Sequence, residues 1–262
     1  SAEGFAAGGI QVLAATGQVD HLLFGSECGD AAALERVAAA LLEPAFRDHF
    51  RRELPGAVRF AAARQRALAG LVSPADAALL ESPNNILGIE YCKALLGQKA
   101  PIRPVTIRRE GSAHDGALAP DTHPSASGLR ALLQQGRRAE ALALLPPAMA
   151  RAYEAEEAAG RAPVFWDNCE RAILARLRSM TAADFAALDG GNEGLWNRLY
   201  DAARTAADLR SLLAAAKTKR HAMARLRRMV LWAYLGLTPA DVPEQVPYLR
   251  VLAANGTGCR LL

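Results

Sequence analysis

Two short apolar runs, each followed by turn-forming or charged residues, constrain the fold of this chain most strongly. The first, His21-Leu-Leu-Phe-Gly25, leads into Ser-Glu, and the second, Pro104 to Ile107, leads into Arg108 and Arg109. Short runs of this composition are typical of buried parallel strands. Helical patterns fill the segment between them, and helices that alternate with short strands favour a parallel sheet with crossover helices.

Three helical stretches are expected around these strands. Asp30 is placed to cap a helix from Ala31 to Leu42, because its side chain can accept a hydrogen bond from a free backbone N–H of the first turn. A second helix is expected from about Asn85 to Leu96, with Pro83 just before it. The Arg-rich stretch 44–66 is expected to be helical and solvated, as an insertion on one face.

After Leu133 the pattern changes, and no strand candidate follows before the last segment. Helices are expected over 168–180, 192–217 and 220–235, with an apolar stripe at Leu195, Leu199, Ala202, Ala206, Leu209 and Leu213. The stretch 140–157, broken by two prolines, is expected to be a connector, and 247–253 either a strand or a docking turn. The sequence therefore predicts an α/β domain of residues 1–135 and an all-helical domain of residues 136–262.

Composition limits the class of protein. The 262 residues are 51% hydrophobic and 22% charged, which is ordinary for a soluble globular protein. No run reaches the roughly 18–20 apolar residues of a membrane helix, and no signal-peptide pattern opens the chain, so no membrane partner is expected. The cysteines are far apart without a C-x-x-C pair, which argues against a disulfide framework or a zinc site and for a reducing, cytoplasmic location, so no metal is assigned (Cys28, Cys92, Cys169, Cys259). The net charge of +4 permits a polyanionic partner.

Polar residues follow the second strand candidate in two groups. Ser125 and Ser127 stand at the expected start of a helix, where free N–H groups bind anions, and Arg130 adds a guanidinium about one turn later. The alternative is that a serine only caps the helix and that Arg130 is solvated. His114 and Asp115 are either an acid/base or metal element, or a loop histidine beside a local carboxylate.

Other polar residues are expected at the carboxyl edge of the same sheet, where α/β folds bind ligands. Arg108 and Arg109 end one strand candidate, and the alternative is a surface pair balanced by a neighbouring acid. Asn84 and Asn85 can bond a ribose or a base edge, or can cap a helix. Gly25 allows a close approach of backbone to a ligand, or forms a plain turn.

Motifs along almost the whole chain resemble the tRNA(Met) cytidine acetate ligase family. They occur in the order and approximate spacing of that family, at Ser1 to Ala6, Leu23 to Glu27, Ser82 to Tyr91, Thr106 to Arg109, Gly111 to Asp115, Ser125 to Arg130, Glu193 to Arg198, Lys217 to Arg220 and Tyr248 to Leu252. The resemblance implies a Rossmann-like nucleotidyltransferase sheet, incomplete here, followed by a helical extension.

The resemblance also implies an activity. ATP and acetate would form acetyl-adenylate, and the acetyl group would pass to N4 of the wobble cytidine of elongator tRNA(Met). Its partners would be tRNA, ATP and acetate, with RNA rather than DNA as the nucleic acid, while the need for Mg²⁺ stays open. ATP would contact residues at the sheet edge and in the second phosphate-binding motif of the superfamily: Gly25, Asn84, Asn85, Arg108, Arg109, Ser125, Ser127 and Arg130.

The family's His-x-Gly-His loop has no counterpart in this sequence. None of the five histidines stands at that spacing from another. In the family this loop cradles phosphates near a helix start, about a hundred residues upstream of the position that matches Ser1. The catalytic residues are therefore unassigned, and this chain alone is expected to be inactive.

Basic residues are concentrated in the second half. From Arg198 to Arg228 there are nine Lys or Arg and two Asp, a local charge of +7 (nine minus two). Such a cluster provides phosphate contacts, so we expect RNA binding by Lys217, Lys219, Arg220, Arg225 and Arg228. The alternative for any one of them is a solvated helix face. The aromatic residues Trp196, Trp232 and Tyr234 are expected to be core anchors.

Three functional hypotheses remain open from the sequence. The first is an adenylate-forming enzyme that modifies tRNA and whose catalytic loop lies outside this chain. The second is an RNA-binding module without catalysis, whose binding would weaken steeply with salt. The third is a helical scaffold for a partner protein.

Overall fold

The computed structural model describes residues 2–53, 60–109, 125–188, 190 and 194–261. Its two strands, β1 (His21–Ser26) and β2 (Arg103–Arg108), form a parallel sheet in which His21 pairs with Arg103 and Ser26 with Arg108. Helices connect the two strands, as a parallel pair requires. The predicted class, a parallel α/β sheet followed by helices, is confirmed.

Helices make up most of the described structure. In the first part they are α1 (Ala2–Ala15), α2 (Ala31–Leu42), α3 (Pro44–Glu53), α4 (Phe60–Ala69), α5 (Pro74–Ala78), α6 (Pro83–Gln98) and α7 (Ala126–Gln134). In the second part they are α8 (Arg138–Ala143), α9 (Pro147–Ala158), α10 (Trp166–Ser179), α11 (Ala182–Ala186), α12 (Leu195–Thr205), α13 (Leu209–Ala216), α14 (Met223–Leu235) and α15 (Gly258–Leu261).

Helix α6 is the centre of the first part, where it packs against α1, α2 and β1. Gly88 permits this approach, because a Cβ there would lie 2.7 Å from Cε2 of Phe24 and 3.0 Å from Cδ1 of Leu34. Ile89 and Cys92 of the same helix are buried in the apolar cluster that also contains Leu34. The close packing fixes the start of α6 beside the end of β1.

The predicted cap at Asp30 is confirmed, and the predicted solvated insertion over 44–66 is partly wrong. Oδ1 of Asp30 accepts from the backbone N–H of Ala33 at 3.0 Å, and α2 ends at Leu42 as expected. Helix α3 buries no residue, in agreement with a solvated stretch. Helix α4, in contrast, buries Ala63 and pairs Arg64 with the buried Glu90 at 2.7 Å.

The second part is an all-helical core built from α10 to α14. Trp196, Trp232 and Tyr234 pack against its buried residues, which confirms them as core anchors. The single helix expected over 192–217 is wrong: α12 ends at Thr205, and a new cap starts α13 where Oδ1 of Asp208 accepts from the N–H of Ser211 at 2.6 Å.

The connector expected over 140–157 is also helical. Helix α8 ends before the two prolines, and Pro147 is the first residue of α9, where a missing N–H costs nothing. The last segment makes no strand. The backbone just before this segment contacts α1, since Gln11 donates to the carbonyl of Glu244 at 3.1 Å and accepts from the N–H of Val246 at 3.2 Å.

The buried apolar residues fall into separate clusters along the chain. Two lie within residues 10–102, and the largest runs from Ile173 to Ala233. The domain boundary at residue 135 stays a prediction. Within the described ranges, no helix combines the length and apolarity needed to cross a membrane.

Candidate functional site

Glu27, directly after β1, joins the end of the strand to the start of α6. Its carboxylate accepts hydrogen bonds from the backbone N–H groups of Asn84 (3.2 Å) and Asn85 (2.7 Å) and from Nδ2 of Asn84 (2.7 Å). Ser82, at the cap position of α6, makes no side-chain cap of its own. Glu27 therefore supplies the negative cap that this helix start favours.

The environment of Glu27 stabilises its ionised form. Partial burial alone would raise the pKa of this carboxyl, because it penalises the charge. The hydrogen bonds from the Asn84 side chain and from the Asn84 and Asn85 backbones outweigh burial, so the pKa of Glu27 lies below its usual value of 4.5. Glu27 is therefore a fixed negative charge at neutral pH.

Hydrogen bonds also fix the turn after β1. Thr106 of β2 donates its hydroxyl proton to the carbonyl of Phe24 at 3.0 Å, so the buried hydroxyl of Ser26 donates to Thr106 at 2.8 Å. Ser26 in turn accepts from the N–H of Gly29 at 3.0 Å. Oδ1 of Asn85 accepts from the N–H of Cys28 at 3.0 Å, which ties the turn to α6.

Arg109 brings positive charge to this edge of the sheet. Its Nη1 donates to Oδ1 of Asn84 at 3.0 Å, and its backbone N–H donates to the carbonyl of Ser26 at 2.9 Å. Its aliphatic stem crosses β1 at Gly25, where a Cβ would lie 3.0 Å from Cγ of Arg109. Close approach is thus the reason for glycine at this position.

The structure brings together the predicted residues of the sheet edge and adds others. Gly25, Asn84, Asn85 and Arg109 are connected by the contacts above, and Arg108 lies against Gly29, which has a φ of +67°. The two amides that were expected to face a ligand use side-chain groups to anchor the turn. The exposed polar groups of this edge are the guanidinium groups of Arg108 and Arg109. Such groups suit a phosphate or a carboxylate.

The sequence analysis assigned no role to Glu27, Ser26 or Thr106. The available signal was an acid directly after a strand candidate, but Ser82 stands at the cap position of the later helix and gave no reason to look for another cap. Pairing the two requires knowing that β1 and α6 are adjacent, and this is a tertiary fact.

Ser125, Ser127 and Arg130 lie in different surroundings from the sheet edge. Oγ of Ser125 accepts from the N–H of Gly128 at 3.1 Å, so the capping role is confirmed. Ser127 and Arg130 line an open cleft of about 870 Å³ between α7 and the helices α10, α13 and α14. The described lining of this cleft includes none of the sheet-edge residues.

The five predicted RNA-binding residues divide into two kinds. Nζ of Lys217 donates to the carbonyl of His221 at 2.6 Å, and Nε of Arg225 donates to the carbonyl of Gly190 at 2.6 Å. Lys217 therefore stabilises the connection between α13 and α14, whereas Arg225 joins α14 to the backbone between α11 and α12. Lys219, Arg220 and Arg228 are exposed.

Metal ligands are not gathered in the described structure. His114 and Asp115 lie outside the described residues. In the ranges that the structure does describe, no three His, Cys, Asp or Glu side chains are grouped so that they could hold a metal ion.

Comparison with protein families and curated proteins agrees along the whole chain. The model of the HIGH nucleotidyl transferase family matches residues 1–262. A tRNA(Met) cytidine acetate ligase of Fervidobacterium nodosum is 34% identical over 267 residues, which cover 100% of this chain and 62% of that protein. The ligase of Acetivibrio thermocellus is 32% identical, covering 100% of this chain and 66% of its own length.

Two solved structures of Thermotoga maritima TmcAL are similar to this fold. The apo form superimposes with a TM-score of 0.86 at 32% identity, over 92% of this chain and 58% of that one. The form bound with alpha-thio ATP gives a TM-score of 0.83 at 31% identity, over 92% of this chain and 57% of that one. This chain thus spans less than two thirds of the length of these relatives.

Proposed function

The chain belongs to the HIGH nucleotidyl transferase family, and from this premise we propose that it is the nucleotide- and RNA-binding part of an ATP-dependent tRNA ligase. The ligase activates acetate as acetyl-adenylate and transfers the acetyl group to N4 of the wobble cytidine of elongator tRNA(Met). Support comes from the names of the relatives and from the alpha-thio ATP bound by the similar TmcAL structure.

The observation that carries the proposal is the hydrogen-bonded edge of the parallel sheet. Ligands of open α/β sheets bind outside the carboxyl ends of the strands, and here Glu27, Asn84 and Arg109 hold that edge in one arrangement. A guanidinium whose partner amide is itself fixed loses little freedom when it binds a phosphate. Gly25 leaves room for the aliphatic stem of Arg109 to cross β1, which keeps this guanidinium at the edge.

The reaction needs activation because a carboxylate is a poor electrophile. An oxygen of acetate attacks the α-phosphorus of ATP, and the bond to the β-phosphate breaks with release of pyrophosphate. The cytidine amine then attacks the acetyl carbonyl, loses a proton and displaces AMP. Arg108 and Arg109 stabilise phosphate charge in the first step, where positive groups act most strongly.

The helical part supplies the contacts with tRNA. Lys219, Arg220 and Arg228 are exposed, as phosphate-binding side chains must be. Lys217 holds the backbone between α13 and α14 in place, and Arg225 joins α14 to the backbone at Gly190. Ser127 and Arg130 contribute to phosphate binding from α7.

The test is acetate-dependent chemistry by the complete product of the encoding gene. With ATP and labelled acetate, we expect release of pyrophosphate and label on N4 of cytidine in tRNA(Met). Arg109→Gln is expected to lower pyrophosphate release by about tenfold or more, since a charge-assisted contact to phosphate is removed. Pyrophosphate release that is independent of acetate would contradict the proposal.

A second candidate is an RNA-binding module without catalysis. It is favoured by the exposed basic residues Lys219, Arg220 and Arg228 of the helical part. This candidate predicts tRNA binding that weakens steeply with salt and no binding of ATP. Titration with ATP therefore separates the two.

A further inference from the structure

The cleft between α7 and the helical core carries an excess of positive charge. Arg130 of α7, Arg210 of α13 and Arg227 of α14 converge on it from three helices. Asp167 is the one carboxylate in its described lining, so the formal charge there is +2, three minus one. Of these residues, only Arg130 belongs to a motif that the sequence analysis singled out.

These three guanidinium groups differ from most others in the helical part. Arg178 donates to the carbonyls of Ala203 and Ala206, and Arg198 donates to the carbonyl of Ala215, so each satisfies a neighbouring helix end. Arg130, Arg210 and Arg227 are exposed and make no side-chain hydrogen bond or ion pair with the described parts of the chain. The charges of Arg130 and Arg227 are left for a ligand, and that of Arg210 is shared with the nearby carboxylate of Asp208.

The same cleft offers an apolar surface beside the cations. Val164, Phe165 and Trp166 line it at the start of α10, and Val164 is 74% exposed. Trp166 packs on the helical core with part of its surface and remains partly accessible. Flat apolar surface next to unpaired guanidinium groups suits a ligand with a planar ring and a phosphate, which describes a nucleotide.

We propose that this cleft binds a single-stranded segment of RNA, with Arg210 and Arg227 on its phosphates and an unstacked base against Phe165 and Trp166. The proposal rests on the proposed function in one respect, because it takes tRNA as the ligand. Unpaired bases that stack on aromatic side chains are the usual targets in single-stranded RNA. Ser127 lines the same cleft, so the strand lies beside the phosphate motif of α7.

A free nucleotide such as ATP also carries a planar base and phosphates. The experiment therefore compares binding of tRNA with binding of ATP. Binding of tRNA(Met) transcript and of ATP is measured for the wild-type chain and for the variants Arg210→Gln and Arg227→Gln. Arg151→Gln is the matched control, because Arg151 is an exposed arginine of α9, which contributes no residue to the described lining. The dependence of tRNA binding on salt is recorded for each variant.

We expect each cleft variant to weaken tRNA binding by about three- to fivefold, as the loss of one exposed ion pair does at most. The plot of log binding constant against log salt concentration has a slope, here called the salt slope. Each variant should reduce the magnitude of this slope by about one, because one phosphate contact is lost. Binding of ATP should stay at the wild-type value. Arg151→Gln should leave both ligands unaffected.

Stacking is tested independently through tryptophan emission. Quenching of the emission by tRNA should fall in Trp166→Phe, a variant that keeps an aromatic ring in the core and retains Trp196 and Trp232. If Arg210→Gln and Arg227→Gln bind tRNA as Arg151→Gln does, or lose ATP binding instead, the RNA assignment of the cleft is wrong while the proposed function stands. A wild-type chain that binds no tRNA would overturn both.

Discussion

Nδ2 of Asn84 donates a hydrogen bond to Oε1 of Glu27 at 2.7 Å, and this contact joins the first turn of α6 to the end of β1. The two residues are 57 positions apart in the chain. The carbonyl oxygen of the same amide accepts from Arg109, so one asparagine links an anion and a cation at the edge of the sheet. The positions of the sheet-edge residues depend on this link.

Replacing Glu27 by Gln should destabilise the fold at neutral pH by about 1 kcal/mol, the usual cost of losing a helix cap. Gln is uncharged and cannot accept in the same way from two backbone N–H groups and an amide. Because the folded protein lowers the pKa of Glu27 from 4.5, the ionised form is the stabilising one. Urea unfolding of both proteins between pH 3 and pH 7 measures the difference.

The difference between wild type and Glu27→Gln should be fully present above pH 4.5 and should vanish as the pH falls through the lowered pKa of Glu27. Below that pKa the carboxyl is neutral in both the folded and the unfolded chain. A difference that stays constant down to pH 3 would show that Glu27 acts by shape and not by charge.

Replacing Gly88 by Ala should destabilise the protein by about 1–3 kcal/mol, as overpacking of a core does. The added methyl would lie 2.7 Å from Phe24 and 3.0 Å from Leu34, so α6 has to move away from β1. Gly97→Ala, in the same helix, is the control, since nothing lies within 4 Å of its Cβ position. Thermal unfolding should show Gly97→Ala at or slightly above the wild-type melting temperature. Equal melting temperatures for the two variants would contradict the packing.

Replacing both Lys219 and Arg228 by Ala should weaken tRNA binding and reduce the salt slope by about two, one for each lost phosphate contact. Both side chains are exposed, so the melting temperature should change little. Filter binding over a range of salt concentrations, together with thermal unfolding, measures the two effects. An unchanged salt slope would remove these residues from the RNA-binding surface.

Lys217→Met should lower the stability of the fold, in contrast to the exposed-residue variant above. Its ammonium donates to the carbonyls of Thr218 and His221, so its removal leaves backbone acceptors without their partner. We expect a loss of about 1–2 kcal/mol in the free energy of unfolding, measured by urea titration. Wild-type stability combined with weakened tRNA binding would assign Lys217 to the ligand instead.

The elements of this fold that depend on local chemistry could be predicted. Asp30 and Ser125 cap the helices that follow them, because a cap needs only a side chain and the N–H group three residues later. The two strands followed from their short apolar runs and the residues after them. The parallel pairing followed from the helices that separate them.

The hydrogen-bond partner of each basic side chain could not be predicted from the sequence. Arg178 donates hydrogen bonds to carbonyls 25 and 28 residues away in the chain, and Arg225 donates to a carbonyl 35 residues away. Whether a guanidinium meets water or the end of another helix depends on how the helices pack. For the same reason, the sequence did not indicate that Arg130 shares a cleft with Arg210 and Arg227.

The central claim is that the edge formed by Gly25, Asn84 and Arg109 is a nucleotide site, and titration of ATP into the purified chain tests it most directly. Arg103→Gln is the control for Arg109→Gln, since Arg103 lies at the opposite end of β2 and is also exposed. We predict saturable one-to-one binding of ATP that Arg109→Gln weakens by about tenfold or more and Arg103→Gln leaves unchanged. No binding of ATP by the wild-type chain, or equal binding by the two variants, would contradict the claim.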